Sequence, residues 1–291
     1  MKLVTFTESD NTRIGLLQDD GIVDLSQAGP ELPRDMLGFI AAGPDALARA
    51  GAIRQAAHYA RDAVRLEAPI PRPGKVIAIG LNYRSHAIET NSPIPEVPLV
   101  FTKQATSVTG PYDPIFWSED SKALDFEGEL GIVIAKDCRR VPKEKAHELI
   151  FGLTIVNDVS VRDWQKRGIP PSFTMGKSWD SHCPCGPCIA VDPALDPHDL
   201  QLKTWVNGEL RQHGRTNDLI FDCYALIAFL STAFTLEAGD IIVTGTPSGV
   251  GMADDPPTFL VPGDRVQIEI GDIGSIENEV IEEPDEAACF Y

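Results

Sequence analysis

Three acidic residues and a histidine carry most of the chemistry this sequence offers. In Leu124-Asp-Phe-Glu-Gly-Glu-Leu-Gly-Ile-Val-Ile-Ala-Lys-Asp137, period-two alternation puts Leu124, Phe126, Leu130, Ile132 and Ile134 on one face of a strand. Asp125, Glu127, Glu129, Gly131 and Val133 fall on the other. Glu127 and Glu129 then project side by side, roughly 7 Å apart along the strand, which is unfavourable for like charges unless solvent or a cation lies between them. Alone, the pair describes either an exposed strand end or two arms of a cation site. A third acid, Asp158, closes the apolar run from Phe151 to Asn157, and strand ends are where binding groups collect. A helical turn after it would put Arg162 and Gln165 on one face, ready to grip a carboxylate or carbonyl. The i, i+4 spacing of Asp158 and Arg162 also suits a plain salt bridge. Ligation by Glu127, Glu129 and Asp158 is all-oxygen, favouring Mg2+ or Mn2+, admitting Ca2+ and disfavouring zinc.

Within Leu81-Asn-Tyr-Arg-Ser-His-Ala-Ile-Glu-Thr90, one helical turn sets His86 and Glu89 on the same face. There Glu89 would orient the imidazole and raise its basicity, as a general base that takes a proton from water requires. The same spacing describes an ordinary surface pair. Gly80 before it and Pro93 and Pro95 after it suit a segment that moves as a lid. Gly176-Lys177-Ser178 is the tail of a phosphate-binding loop, but Pro171 stands where that pattern needs glycine. Nucleotide binding is therefore excluded, and Lys177 is left as a candidate for holding a substrate anion. The glycine-rich stretch Val243 to Gly251 fits neither a dinucleotide fingerprint nor a nucleophile elbow, yet lets backbone amides and Thr246 approach a ligand. Cys183-Pro-Cys185-Gly-Pro-Cys188, next to His182, invites a zinc site but lacks a second ligand module, and its prolines and glycine suit a rigid turn.

These groups need a scaffold, and 291 residues suffice for one large domain with a smaller appendage. Residues 1 to 25 read as a meander of three short strands with a turn at Asp19-Asp20-Gly21. Residues 34 to 66, rich in Ala, Leu and Arg and broken at Gly43-Pro44, read as two helices. The Pro-rich segment Ala68 to Gly74 marks a boundary, giving a small N-terminal α+β domain over 1–69 and a catalytic domain over 70–291. Beyond it come short apolar strands separated by turn chemistry such as Asn207-Gly208 and Pro262-Gly263-Asp264, with helices at Lys143 to Ile150 and Asp218 to Thr235. The fold class is mainly β with some α. A formal charge of -18, from 25 basic and 43 acidic residues, excludes nucleic acid and anionic membrane as partners. The same charge repels a small anionic substrate, so any pocket for an acid must be locally positive. The amino terminus is too short in apolar residues for a signal peptide, and no run of about 18 apolar residues occurs, so a cytoplasmic protein is expected.

Taken together and in order, the motifs resemble the fumarylacetoacetate hydrolase superfamily across residues 75 to about 280. They are Gly80-Leu-Asn-Tyr83 with His86 and Glu89, Phe101-Thr-Lys103, Asp125-Phe-Glu-Gly-Glu-Leu130, Asn157-Asp158 through Arg162 and Gln165, Gly176-Lys-Ser-Trp-Asp180, Pro184-Cys-Gly-Pro187, Asn207-Gly208 and Thr244 to Gly251. The resemblance implies the family's mixed β-sandwich roll and a homodimer. It matches Glu127, Glu129 and Asp158 to divalent-metal ligands, His86 and Glu89 to a catalytic dyad on a mobile lid, and Arg162, Gln165, Lys177 and Thr246 to substrate contacts. Gln104 after Lys103 departs from a common proline and touches no catalytic group. The cysteine segment matches the family through its prolines and glycine, which disposes of zinc.

The implied activity is hydrolysis of a carbon–carbon bond in an acylpyruvate or 2,4-dioxo acid. His86, oriented by Glu89, would activate water, and the metal and Lys177 would stabilise the enolate that leaves. The same apparatus serves decarboxylation of oxaloacetate, or dehydration or isomerisation of a sugar-derived or unsaturated 2-oxo acid. A non-catalytic acid-binding protein ranks lowest, because no ligand or dyad member is missing.

Overall fold

The computed structural model describes residues 1–18, 21–168 and 172–285. The chain opens with the expected meander, β1 (Lys2–Glu8), β2 (Asn11–Gln18) and β3 (Gly21–Asp24); of the turn between the last two, Asp19 and Asp20 lie outside the described residues. Asp24 caps the short helix α1 (Leu25–Ala28) by accepting from Ser26 N at 2.8 Å. Two helices follow, α2 (Met36–Ala41) and α3 (Gly43–Ala52), parted at Gly43, whose φ of 70° favours glycine. The helical reading of 34–66 fails after Ala52. There β4 (Tyr59–Ala60) and β5 (Arg65–Glu67) pair with β3 and β1, and partners supplied by distant strands override the helix preference of an Ala- and Arg-rich stretch.

The rest of the chain is strand-rich. It runs through β6 (Val76–Gly80), α4 (Arg84–Glu89), β7 (Leu99–Lys103), β8 (Val108–Thr109), β9 (Ile115–Trp117), β10 (Leu124–Asp125) and β11 (Gly128–Ile134). Then come β12 (Ile150–Asn157), β13 (Ser160–Val161), α5 (Arg162–Gln165), α6 (Phe173–Lys177) and β14 (Cys183–Ala190). It closes with β15 (Gln201–Val206), β16 (Glu209–Arg215), α7 (Cys223–Ala233), β17 (Ile241–Val243), β18 (Arg265–Ile270) and β19 (Gly274–Glu282). The helix expected at Lys143 to Ile150 is a 3₁₀ helix, Lys143–Leu149. The one expected over Asp218 to Thr235 narrows to α7, whose start is set by Asp222 accepting from Ala225 N at 2.8 Å.

Ten strands form the spine of a twelve-stranded sheet in the order β4-β3-β2-β1-β14-β12-β11-β17-β6-β7, and β5 and β8 pair at its flank. A five-stranded sheet, β16-β15-β18-β19-β9, packs on one of its faces. Between the two layers lie Leu130, Ile132, Ile134, Leu153 and Ile155 with Leu202, Val266, Ile268 and Ile276, joined by Leu226, Ile227 and Leu230 of α7. The opposite face is also covered: Val133, Phe151, Val156 and Val243 meet Met36, Phe39 and Ile40 of α2. This two-sided packing accounts for the full burial of β11, whose second face carries core beyond Glu129 rather than solvent. Residues 1–69 and 70–291 are thus joined by hydrogen bonds, since Leu3 of β1 pairs with Ile189 of β14. No helix among the described residues is long and apolar enough to cross a membrane.

One expectation is overturned outright. Cys183 to Cys188 is no turn but the body of β14, hydrogen-bonded to β1, β12 and β8. Proline is tolerated here because the ladder to β12 is irregular and does not call on every N–H. Alternation sends Cys183 and Cys185 into one core and Cys188 into the other, so the three thiols cannot meet at one ion. Burial pushes the Cys183 thiol up to about 12 and Cys188 to about 11, and raises Cys185 as well. Iodoacetamide at about pH 8 is therefore expected to leave these three untouched in the folded protein and to alkylate them in denaturant, with peptide mass mapping as the readout.

Candidate metal and active site

The acidic triad is assembled at one end of the β11–β12 ladder. Glu127 sits in the two-residue break between β10 and β11, Glu129 is the second residue of β11, and Asp158 directly follows β12. Two main-chain links fix them. Glu127 O accepts from Asp158 N at 2.8 Å, and Glu127 N donates to the Asn157 side chain at 3.1 Å. One carboxylate oxygen from each of Glu127, Glu129 and Asp158 lies within 4.8 Å of the others, and all three residues are buried. Among the described residues this is the one group of three acidic, His or Cys side chains gathered so closely.

Buried cations partly balance the triad. Lys177, the last residue of α6, reaches Glu127 Oε2 at 2.6 Å and Asp158 Oδ2 at 2.8 Å. Lys103 at the end of β7 reaches Asp158 Oδ1 at 2.7 Å. Arg162, opening α5, binds Glu127 Oε1 at 2.7 Å and Asp125 Oδ2 at 2.8 Å, and its Nη1 donates to Gln165 Oε1 at 3.2 Å. The simple salt bridge from Asp158 to Arg162 does not form. Burial raises the Glu127 carboxyl, but Lys177 and Arg162 outweigh it and hold the group well below the usual range. Glu129 goes the other way: burial first, then the charges of Asp158 and Glu127, push it well up. Among the described residues its side chain has one donor, the amide of Gly245. Buried, all-oxygen and short of positive charge at Glu129, the set fits a hard divalent cation such as Mg2+ or Mn2+.

Glu127 and Glu129 of the triad open into a cavity of about 200 Å³, lined also by His86, Arg162, Gln165, Lys177 and Thr246, among others. His86 comes from α4, where the i, i+3 spacing brings its Nδ1 to 3.0 Å from Glu89 Oε2. The other Glu89 oxygen accepts from Gly249 N at 2.7 Å, so the dyad is anchored to the glycine-rich loop. Gly249 has φ 103° and an added Cβ would meet Arg211 O at 2.0 Å, which restricts the position to glycine. Thr246 is held more tightly than its sequence context suggested. Its hydroxyl donates to Gly128 O at 2.9 Å and accepts from Gln212 Nε2 at 2.7 Å, so its proton is spent within the protein. A ligand meets this hydroxyl only as an acceptor.

Three residues of the site were not assigned roles from the sequence. Lys103 and Asp125 lay inside quoted motifs, but their partners are far along the chain. Gln212 arrives from the second sheet, where its Oε1 accepts from Gly128 N at 2.9 Å between the two glutamates. Period-two alternation along β16 is the only sequence signal that points it inward.

An acid-lined α+β sandwich with a His–Glu dyad at the mouth of a carboxylate triad defines an enzyme class, and comparison with known proteins agrees. The family model described as fumarylacetoacetate (FAA) hydrolase C-terminal matches residues 75–281. The chain is 43% identical over 288 residues to the Xenopus laevis mitochondrial oxaloacetate tautomerase fahd2, covering 97% of this chain and 90% of that protein. It superposes on fumarylacetoacetate hydrolase from psychrophilic Exiguobacterium antarcticum with a TM-score of 0.86, at 37% identity, over 97% of this chain and 100% of that one. Maleylpyruvate hydrolase from Sphingobium sp. SYK-6, solved in complex with manganese(II) and pyruvate, superposes with a TM-score of 0.79 at 32% identity, over 98% and 100%. The chain belongs to the fumarylacetoacetate hydrolase family, and it is an enzyme.

Proposed function

We propose that the chain moves a proton at the carbon next to the 2-oxo group of a small 2-oxo diacid, interconverting the keto and enol forms of oxaloacetate or a close analogue. The observation that carries this reading is the His86 ring lining the same small cavity as Glu127 and Glu129 of the triad, with Nδ1 engaged by Glu89 and, among the described residues, no protein partner on Nε2. His86 Nε2 takes the proton from C3, the C–H electron pair moves into a C2–C3 double bond, the oxo oxygen takes a proton from solvent to give the enol, and His86 returns its proton to solvent. A divalent cation held by Glu127, Glu129 and Asp158 would chelate the substrate carboxylate and oxo group and offset the charge growing on that oxygen. Lys177, within reach of Glu127 and Asp158, adds fixed positive charge at the same place. The identity to an oxaloacetate tautomerase across nearly the whole chain supports this choice of substrate.

Hydrolysis of an acylpyruvate is the second reading, favoured by the resemblance to maleylpyruvate hydrolase and by a dyad equally suited to taking a proton from water. In that case water adds to the distal carbonyl, the carbon–carbon bond breaks, and the pyruvate enolate is protonated. Proton NMR in D2O separates the two. With Mg2+ or Mn2+ and oxaloacetate, the first predicts rapid loss of the C3–H signal without matching pyruvate release, and chelation with EDTA abolishes it. Stoichiometric cleavage of an acylpyruvate with no accelerated exchange on oxaloacetate would overturn it. Under either reading we also propose a cytoplasmic homodimer in which residues 1–69 form a small domain ahead of the catalytic 70–291, a division close to where the family match begins.

A further inference from the structure

The interior cations of the cavity are already committed. Lys103 holds Asp158, Lys177 holds Glu127 and Asp158, and Arg162 holds Asp125 and Glu127. The four carboxylates Asp125, Glu127, Glu129 and Asp158 thus face three cations, and a divalent ion turns that balance into one net positive charge. This suffices for one substrate carboxylate, whereas a diacid brings two. Among the described residues that line the cavity, one cationic side chain forms no ion pair, and it is Lys166. The residue follows α5 directly, its N–H donating to Arg162 O at 3.2 Å, and it is exposed at the rim. The i, i+4 spacing puts it on the same side of the turn as Arg162, and its four-carbon stem lets the ammonium swing across the opening. The remaining rim is neutral: Leu81, Phe101, Phe173 and Met252 are apolar, and Thr90 donates its hydroxyl to His86 O at 2.9 Å.

We propose that Lys166 binds the distal carboxylate of a dianionic 2-oxo acid and so sets a preference for diacids over monoacids. The inference rests on the 2-oxo acid reading above. Lys166→Met keeps the stem and deletes the charge. The test compares oxaloacetate with 2-oxobutanoate by C3–H exchange in D2O, and the binding of oxaloacetate with that of pyruvate by calorimetry on Mn2+-loaded protein. In the variant the ratio of kcat/KM for the diacid over the monoacid falls about tenfold, mainly through KM, as expected for one lost charged contact in a partly desolvated site. Lys166→Arg recovers most of the ratio, and oxaloacetate binding weakens in Lys166→Met while pyruvate binding does not. A ratio within twofold of wild type, with both acids still turned over, overturns the role of Lys166 and leaves the reaction standing. Failure of the wild type to act on either acid overturns the reaction and the role together.

Discussion

Replacing His86 with alanine lowers kcat by about 10²- to 10⁴-fold, the range a positioned general base contributes, while circular dichroism shows a folded protein. Among the described residues the imidazole is held by a single partner, Glu89 Oε2 at 3.0 Å, and Glu89 is held in turn by Gly249 N at 2.7 Å. Glu89→Gln separates orientation from protonation. Its amide oxygen still serves Gly249, but an amide N–H then faces Nδ1 and selects the tautomer with the proton on Nε2, leaving no lone pair towards the cavity. That variant is expected to lose kcat in the same direction with little change in KM. Stopped-flow exchange measurements check both, and a His86→Ala enzyme retaining kcat within fivefold would remove His86 from the proton transfer.

The second large effect falls on a residue that touches no substrate. Asp125 is wholly buried and binds the Arg162 guanidinium through Nη2 at 2.8 Å and Nε at 2.9 Å. It also accepts from Phe126 N and Gly251 N at 2.9 Å each and from Met252 N at 3.0 Å. Asp125→Ala leaves a buried guanidinium half-paired and main-chain donors unsatisfied, and is expected to cost about 3–5 kcal/mol in a urea titration. Asp125→Asn keeps an acceptor for the loop and loses less. Because Arg162 also holds Glu127 at 2.7 Å, Mn2+ affinity falls in the asparagine variant even where it remains folded. Wild-type denaturation midpoints in both variants would show that Asp125 does not clamp the site.

Local periodicity explains what could be read in advance. Glu127 and Glu129 share a parity opposite Leu130 and Ile132, Asp158 ends an apolar run, and His86 and Glu89 are one helical turn apart; each is a relation between near neighbours. The long-range partners that brace the triad could not be found this way. Lys103 meets Asp158 across 55 positions, and Gln212 meets Gly128 across 84. Such pairings are created by the sheet order, which one strand's pattern does not encode. Cys183 to Cys188 misled for the complementary reason: proline and glycine signal turns locally, while β12 and β8 supply partners that hold the segment extended and β1 pairs the residues just beyond it. Tyr59 and Leu66 were drawn out of a helical reading by β3 and β1 in the same manner.

The pairing of β1 with β14 has a consequence for biosynthesis. Leu3 leaves the ribosome about 10–40 s before its partner Ile189 at ordinary elongation rates. Throughout that interval the Lys2–Leu3 end of β1 stays open on the edge that β14 will cover, since β5 closes that edge only over Thr5–Thr7. The nascent meander therefore depends on the timely arrival of a later segment, and slow elongation upstream of Cys183 lengthens its exposure to aggregation.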